Sequence, residues 1–184
     1  LTPLLTRVRT DATAVKKSSG GSRWTDEALT RERIAKHLNG GPARGVCPIK
    51  AGESVTLIGL LDFDSHRGET DWLAMSEVVS RVVDALETVW GMNPILFRSS
   101  GGRGVHLFLL WDEPQDAYSV RAFLDGVLRS VDLKPGTGGG GAGEVEVFPR
   151  QSRVDPGRFG NQFILPLAGA SVPLRLTHVE EPLW

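Results

Sequence analysis

The stretch Leu57-Ile58-Gly59-Leu60-Leu61-Asp62-Phe63-Asp64 decides how the rest of the chain is read. An apolar run leads into two carboxylates with one aromatic between them. In a strand, successive side chains alternate faces, so Asp62 and Asp64 point one way and Phe63 the other. Two neighbouring carboxylates raise each other's pKa. A divalent cation relieves that repulsion, and hard oxygen ligands suit Mg²⁺ or Mn²⁺. A lone Asp-x-Asp equally describes a strand that stops at a polar turn, so the accompanying motifs must decide.

Working outward, Val55 to Asp64 is apolar enough to be a central strand buried on both faces. A polar turn over 65–70 follows. Leu73, Val78, Val79, Val82, Val83, Leu86 and Val89 then recur at helical spacing and predict a long helix from Asp71 to Trp90, ended by Gly91. Ile95 to Ser99 and Val105 to Trp111 read as a hairpin around Ser100-Gly101-Gly102-Arg103-Gly104. Gln115 to Val131 reads as a second amphipathic helix. Gly136 to Gly143 reads as a mobile connection; it lacks the Lys-Ser/Thr ending of a phosphate loop. Glu144-Val145-Glu146-Val147-Phe148 alternates with period two, with both glutamates on one face. Arg150, Arg153 and Arg158 follow in a Gly/Pro-containing loop, and Asn161 to Leu167 is a last apolar strand.

Upstream, Trp24 to Leu38 predicts a helix capped by Thr25, with Leu29, Ile34 and Leu38 as its apolar stripe and His37 favouring the dipole in its last turn. Residues 1–23 carry Arg7, Arg9, Lys16, Lys17 and Arg23 and a Ser/Gly cluster, and read as a basic, partly flexible segment. Residues 24–170 form the expected catalytic domain. Residues 171–184 form a tail that could lead into a further domain, and the opening on Leu1 fits an excised piece of a longer protein.

The 184 residues are 40% hydrophobic with a formal net charge of −1, so a nucleic-acid partner requires a local basic groove rather than a global field. Cys47 is the only cysteine, which excludes an internal disulfide and a cysteine-rich zinc site and fits a reducing, cytoplasmic setting. No apolar run approaches a membrane span, and no membrane partner is expected.

Three strand-borne features carry the chemistry. The first is Asp62 with Asp64. The second is Ser100-Gly101-Gly102-Arg103-Gly104-Val105-His106, where glycines allow close backbone approach and Ser100, Arg103 and His106 offer a hydroxyl, a forked cation and a ring donor to a triphosphate tail. The third is Glu146, preferred over Glu144 as a third carboxylate. Three carboxylates are the protein's share of a two-metal site. One ion would activate an attacking 3′-hydroxyl, and the other would neutralise the triphosphate and the leaving pyrophosphate.

The order Asp-x-Asp, Ser-Gly-x-Arg-Gly-x-His, then a strand-borne acid resembles the archaeo-eukaryotic primase superfamily, in particular the primase-polymerase branch of phages, plasmids and conflict systems. His37-Leu38-Asn39-Gly40, Gly45 to Pro48, Phe148 to Gln151 and Gly160 to Leu167 are similar to further signatures of that branch. The resemblance implies an α/β fold of two-layer α+β kind, a mixed or antiparallel RNA-recognition-like sheet with an N-terminal α/β unit. It implies Asp62, Asp64 and Glu146 as catalytic metal ligands for two Mg²⁺ or Mn²⁺ ions, and Ser100, Arg103 and His106 as nucleotide binders. Arg150 joins the nucleotide binders, with Arg153, Arg158 and Lys50 as template or triphosphate contacts. The implied activity is a DNA primase and polymerase in replication, acting on a single-stranded DNA template with nucleoside triphosphates, and in phage and plasmid relatives fused to or associated with a helicase. Two alternatives stay open: a gap-filling repair polymerase that cannot prime, and a non-catalytic module that binds single-stranded nucleic acid.

Overall fold

The structure, a computed structural model, describes residues 1–17, 21–65 and 71–175. In chain order it contains α1 (Thr2–Leu5), β1 (Thr13–Lys16), β2 (Ser22–Thr25), α2 (Arg31–Leu38), β3 (Arg44–Val46), β4 (Val55–Phe63), α3 (Trp72–Trp90), β5 (Ile95–Arg98) and β6 (Val105–Asp116). It continues with α4 (Ala117–Ser130), β7 (Lys134–Pro135), a 3-10 turn (Gly140–Ala142), β8 (Glu144–Phe148), β9 (Phe163–Ile164) and β10 (Pro173–Leu174). Among these elements no helix is long and apolar enough to cross a membrane.

The strands form a six-stranded sheet, order β10-β5-β6-β4-β8-β7, and a four-stranded sheet, order β2-β1-β3-β9. Only the β7–β8 pair is parallel, so the larger sheet is mixed. β4 lies between β6 and β8, as its apolar content requires. One face of the larger sheet, with Leu61, Phe63, Leu107, Leu109, Val145 and Val147, is covered by α3 and α4. The other face, with Ile58, Leu60, Phe97, Phe108 and Phe148, packs on Val46 and Phe163 of the smaller sheet and on Leu4 and Val8. The N-terminal unit is therefore a layer of its own on the face the helices leave open.

The two long helices, α3 and α4, start where a side chain can satisfy their first amides. Asp71 and Asp116 accept from Ala74 and Ser119, both at 2.8 Å, and Gly91 closes α3 in the left-handed conformation at φ 63°. The upstream helix differs from expectation. It begins at Arg31 with Thr30 as its cap, while Thr25 lies in β2, paired with Thr13 of β1. Leu38 is exposed rather than on an inward stripe. His37 is fully buried: Arg44 N–H donates to Nδ1 at 3.0 Å, and Nε2 faces the Pro166 carbonyl at 2.9 Å. That pattern fixes a neutral ring with the proton on Nε2, and burial keeps its pKa below the ordinary value. His37 thus joins α2 to the chain after β9 and does not serve the helix dipole.

Residues before Trp24 also differ from a loose tail. Leu4, Val8, Ala12, Thr13 and Ala14 are buried, and the buried Arg9 pairs with Asp11 at 2.7 Å. The strand expected over Asn161 to Leu167 shortens to β9. The expected turn over 65–70 and the end of the tail, 176–184, fall largely outside the described residues.

Candidate active site

The register of the larger sheet brings the motifs together. Asp62 of β4 pairs with His106 of β6 on one side and with Glu146 of β8 on the other, and His106 pairs with Phe97 of β5. Directly paired residues of neighbouring strands share a face. His106, Asp62 and Glu146 therefore form a row, and the next row on that face is Phe108, Leu60 and Phe148. Below the polar row, Phe108 meets Phe97 and Phe163 edge-on at 6.0 and 5.6 Å, and Phe163 meets Phe148 at 6.1 Å. This apolar floor fixes the height at which the polar row emerges.

A cleft of about 460 Å³ opens over it, lined by Lys16, Asp62, Asp64, Ser65, Ser99, Ser100, Gly101, Arg103, His106 and Ile164. Asp62 and Asp64 thus share the cleft with Ser100, Arg103 and His106, as the sequence pattern anticipates. The turn that presents Ser100 and Arg103 is tightly built. Ser99 N–H donates to the Gly104 carbonyl at 2.7 Å, and Gly104 N–H donates to Ser99 Oγ at 3.1 Å. Gly102 takes φ 77°, which favours glycine. Gly104 needs its missing side chain for another reason: a Cβ there would run into the Phe63 carbonyl oxygen, beside Asp64 Cα at 3.2 Å. The glycines of the motif therefore seat the turn directly on the strand end that bears the two aspartates.

His106 is buried, and its Nε2 lies 3.4 Å from Asp62 Oδ1. Burial pushes the imidazole down to about 4, with the Asp64 charge opposing and the Lys16 ammonium assisting. At neutral pH the ring is uncharged, so its contact with Asp62 is dipolar rather than an ion pair.

Glu146 and Arg150 stand apart from this cleft. They line a neighbouring hollow of about 220 Å³ with Arg121, Asp125 and Gly136, and Arg150 Nη1 lies 3.4 Å from Glu146 Oε2. Among the described residues, no group of three or more His, Cys, Asp or Glu side chains is gathered closely enough to hold a metal ion. Glu144, the other acid on that face, is engaged elsewhere: it pairs with Lys134 at 3.1 Å and accepts from Gly138 N–H at 2.7 Å. It thereby secures the glycine-rich segment, whose Gly140 N–H donates to the Asp64 carbonyl at 2.9 Å. The expected mobile connection is tied to both ends of the site instead.

The remaining basic candidates are placed away from the cleft. Arg153 pairs with Asp155 at 3.2 Å. The Arg158 carbonyl accepts from the Arg9 guanidinium. Lys50 lines a separate hollow with Arg7 and Pro114. Conversely, Lys16, expected in a basic, partly flexible segment, ends β1 inside the cleft and donates to Ser100 Oγ at 2.8 Å. The only sequence signal for it is its place after Thr13-Ala14-Val15, a run too short to show a period.

The family model for the archaeo-eukaryotic primase domain of TOTE conflict systems matches residues 7–177. The chain belongs to this family. The match begins within the N-terminal segment, in accord with the burial of Val8, Ala12 and Ala14. Among solved structures, the polymerase domain of Mycobacterium tuberculosis Ligase D, in complex with DNA, is similar at a TM-score of 0.61 and 16% identity, covering 96% of this chain and 77% of that one. The archaeo-eukaryotic primase domain of the cyanophage S-2L primase-polymerase is similar at a TM-score of 0.43 and 14% identity, covering 85% of this chain and 90% of that one. No curated protein matches the chain.

Within this primase domain, the signature residues divide into two sets. Asp62, Asp64, Ser100, Arg103 and His106 face the cleft. The others brace one another: His37 reaches Pro166, and Gln151 Oε1 accepts from Asn161 N–H at 3.1 Å.

Proposed function

We propose that this archaeo-eukaryotic primase domain is a DNA-templated nucleotidyltransferase that starts chains on single-stranded DNA and extends them. The observation that carries the reading is the cleft itself, where two carboxylates on one strand end share the space with a guanidinium, an ammonium, a serine hydroxyl and the glycine turn at Gly101. Phosphoryl transfer requires that division: charge neutralisation at the reacting end and anion binding along the tail.

Asp62 and Asp64 in the cleft are hard oxygen donors that would hold divalent cations; Glu146, one strand across on the same face, would have to turn from Arg150 to join them, and His106, neutral and buried, adds no competing charge. Such ions would supply activation of the attacking 3′-hydroxyl and neutralisation of the departing pyrophosphate. The chain's own part is positioning. Arg103 and the turn at Ser100–Gly101 bind and orient the phosphates, while the aromatic floor excludes water from beneath the row.

The test is a priming assay with unprimed single-stranded DNA, labelled nucleotides and Mn²⁺ or Mg²⁺, comparing wild type with Asp62→Ala/Asp64→Ala. Short products from the wild type alone support primer synthesis. Extension of a supplied primer without new starts favours gap filling. Equal DNA binding by both proteins with no synthesis by either refutes the catalytic reading and leaves a binding module.

A further inference from the structure

The cleft draws one wall from the smaller sheet, through Lys16 of β1 and Ile164 of β9, and the other from the larger sheet. Lys16 and Ser100 are 84 residues apart in sequence, yet the Lys16 ammonium donates to Ser100 Oγ. Lys16 is half-buried, and its backbone is fixed at the end of β1 by pairing with Ser22 and by a 2.9 Å bond from its N–H to the Ala43 carbonyl.

We propose that Lys16 binds the β- and γ-phosphates of the incoming nucleotide and sets the Ser100 hydroxyl as a donor to the same phosphates. The inference rests on the nucleotidyl-transfer reading and adds to it a residue from the other sheet. An ammonium has three N–H donors and no acceptor, and Ser100 Oγ takes one of them. Accepting that bond occupies a lone pair of the Ser100 oxygen and leaves its own hydrogen to donate to an acceptor in the cleft. The cleft then offers Lys16, Ser100 O–H and the Arg103 fork together, a donor set suited to phosphate oxygens.

Charge supports the same assignment. Lys16 and Arg103 together match the two carboxylates Asp62 and Asp64 in number. Once cations occupy the carboxylates, both basic side chains are available to an anionic tail. Without Lys16, Arg103 is the one basic side chain among the residues that line the cleft, His106 being neutral. A nucleotide held by both walls also links the two sheets, which no single-sheet ligand would do.

The experiment uses the full chain with Mg²⁺, a nucleoside triphosphate carrying a non-cleavable α,β-methylene bridge, and the matching monophosphate, with Kd read by calorimetry. Lys16→Met retains the stem and removes the charge; Lys16→Arg retains the charge. The expected result is a Kd for the triphosphate raised about ten- to a hundred-fold in Lys16→Met. Its monophosphate Kd and ligand-free melting temperature should be unchanged. Lys16→Arg should stay within about three-fold of wild type. Unchanged triphosphate binding in Lys16→Met, or equal losses for both ligands, overturns the Lys16 assignment alone. Absence of triphosphate binding by the wild type overturns the nucleotidyl-transfer reading as well.

Discussion

Gly104→Ala is a perturbation whose cost can be worked from the backbone. A Cβ at this position would strike the Phe63 carbonyl oxygen, with Phe63 C and Asp64 Cα both at 3.2 Å. These are main-chain atoms of the central strand, which is paired on both sides, so no side chain can swing away. Overpacking a tight site costs roughly 1–3 kcal/mol, and an immovable obstacle puts this case near 3 kcal/mol. For a domain of this length that lowers the melting temperature by about 6–12 °C. Gly101→Ala is the internal control, because nothing lies within 4 Å of its would-be Cβ. Its effect should stay within about 0.5 kcal/mol. Guanidinium unfolding of the three proteins measures both shifts. Primer extension well below the melting temperature measures the displacement of Asp64, for which a misplacement of the order of 1 Å costs about 10²-fold. If Gly104→Ala unfolds at the same denaturant concentration as Gly101→Ala, the close seating of the turn on β4 is wrong.

Two further outcomes follow from buried groups. Burial, aided by the Arg44 charge, keeps the His37 pKa below its unfolded value. The unfolded chain therefore takes up the proton first, and stability that is complete above the unfolded pKa, about 6.5, is lost as pH falls through it toward the folded value. Melting temperatures from pH 7.5 to 5.5 should fall more steeply for wild type than for His37→Gln; parallel slopes would contradict the buried neutral ring. Cys47 is buried and its thiol is pushed up to about 11, so iodoacetamide at pH 8 should leave the native protein unmodified and label it in guanidinium. Fast labelling of the folded protein would place that thiol at the surface.

Much of the larger sheet was legible because its elements are long enough to show a period. β4, α3 and α4 emerge from their apolar spacing, and Asp62, Asp64, Ser100, Arg103 and His106 from their strand-end placement. Most of the smaller sheet was not legible. β1 and β2 have four residues each, and such runs carry no detectable alternation, whereas β9 lies inside the strand expected over Asn161 to Leu167. Thr25 was expected to cap the helix, but pairing of Ser22–Thr25 with β1, a tertiary effect, takes it into a strand and Thr30 caps α2 instead. Lys16 became part of the site through that same pairing. The glycine-rich segment looked structureless because its partners, the Asp64 carbonyl and the Glu144 carboxylate, are revealed only by the fold. Glu146 pairs with Asp62 across the sheet, and its carboxylate is turned toward Arg150, which the sequence pattern could not show.

The two-walled cleft also constrains when the domain can come into being. β3 pairs with β9, and His37 reaches Pro166 across 129 residues of chain. The Asp-x-Asp strand, its hairpin partners and α3 can associate while synthesis is still under way, since their contacts span shorter separations. The second wall must wait for Ile164 to leave the ribosome. A nascent chain halted at β8 would carry Asp62, Asp64, Arg103, His106 and Glu146 and still lack the finished cleft. The nucleotide binding proposed for the cleft would be among the last properties the growing polypeptide acquires.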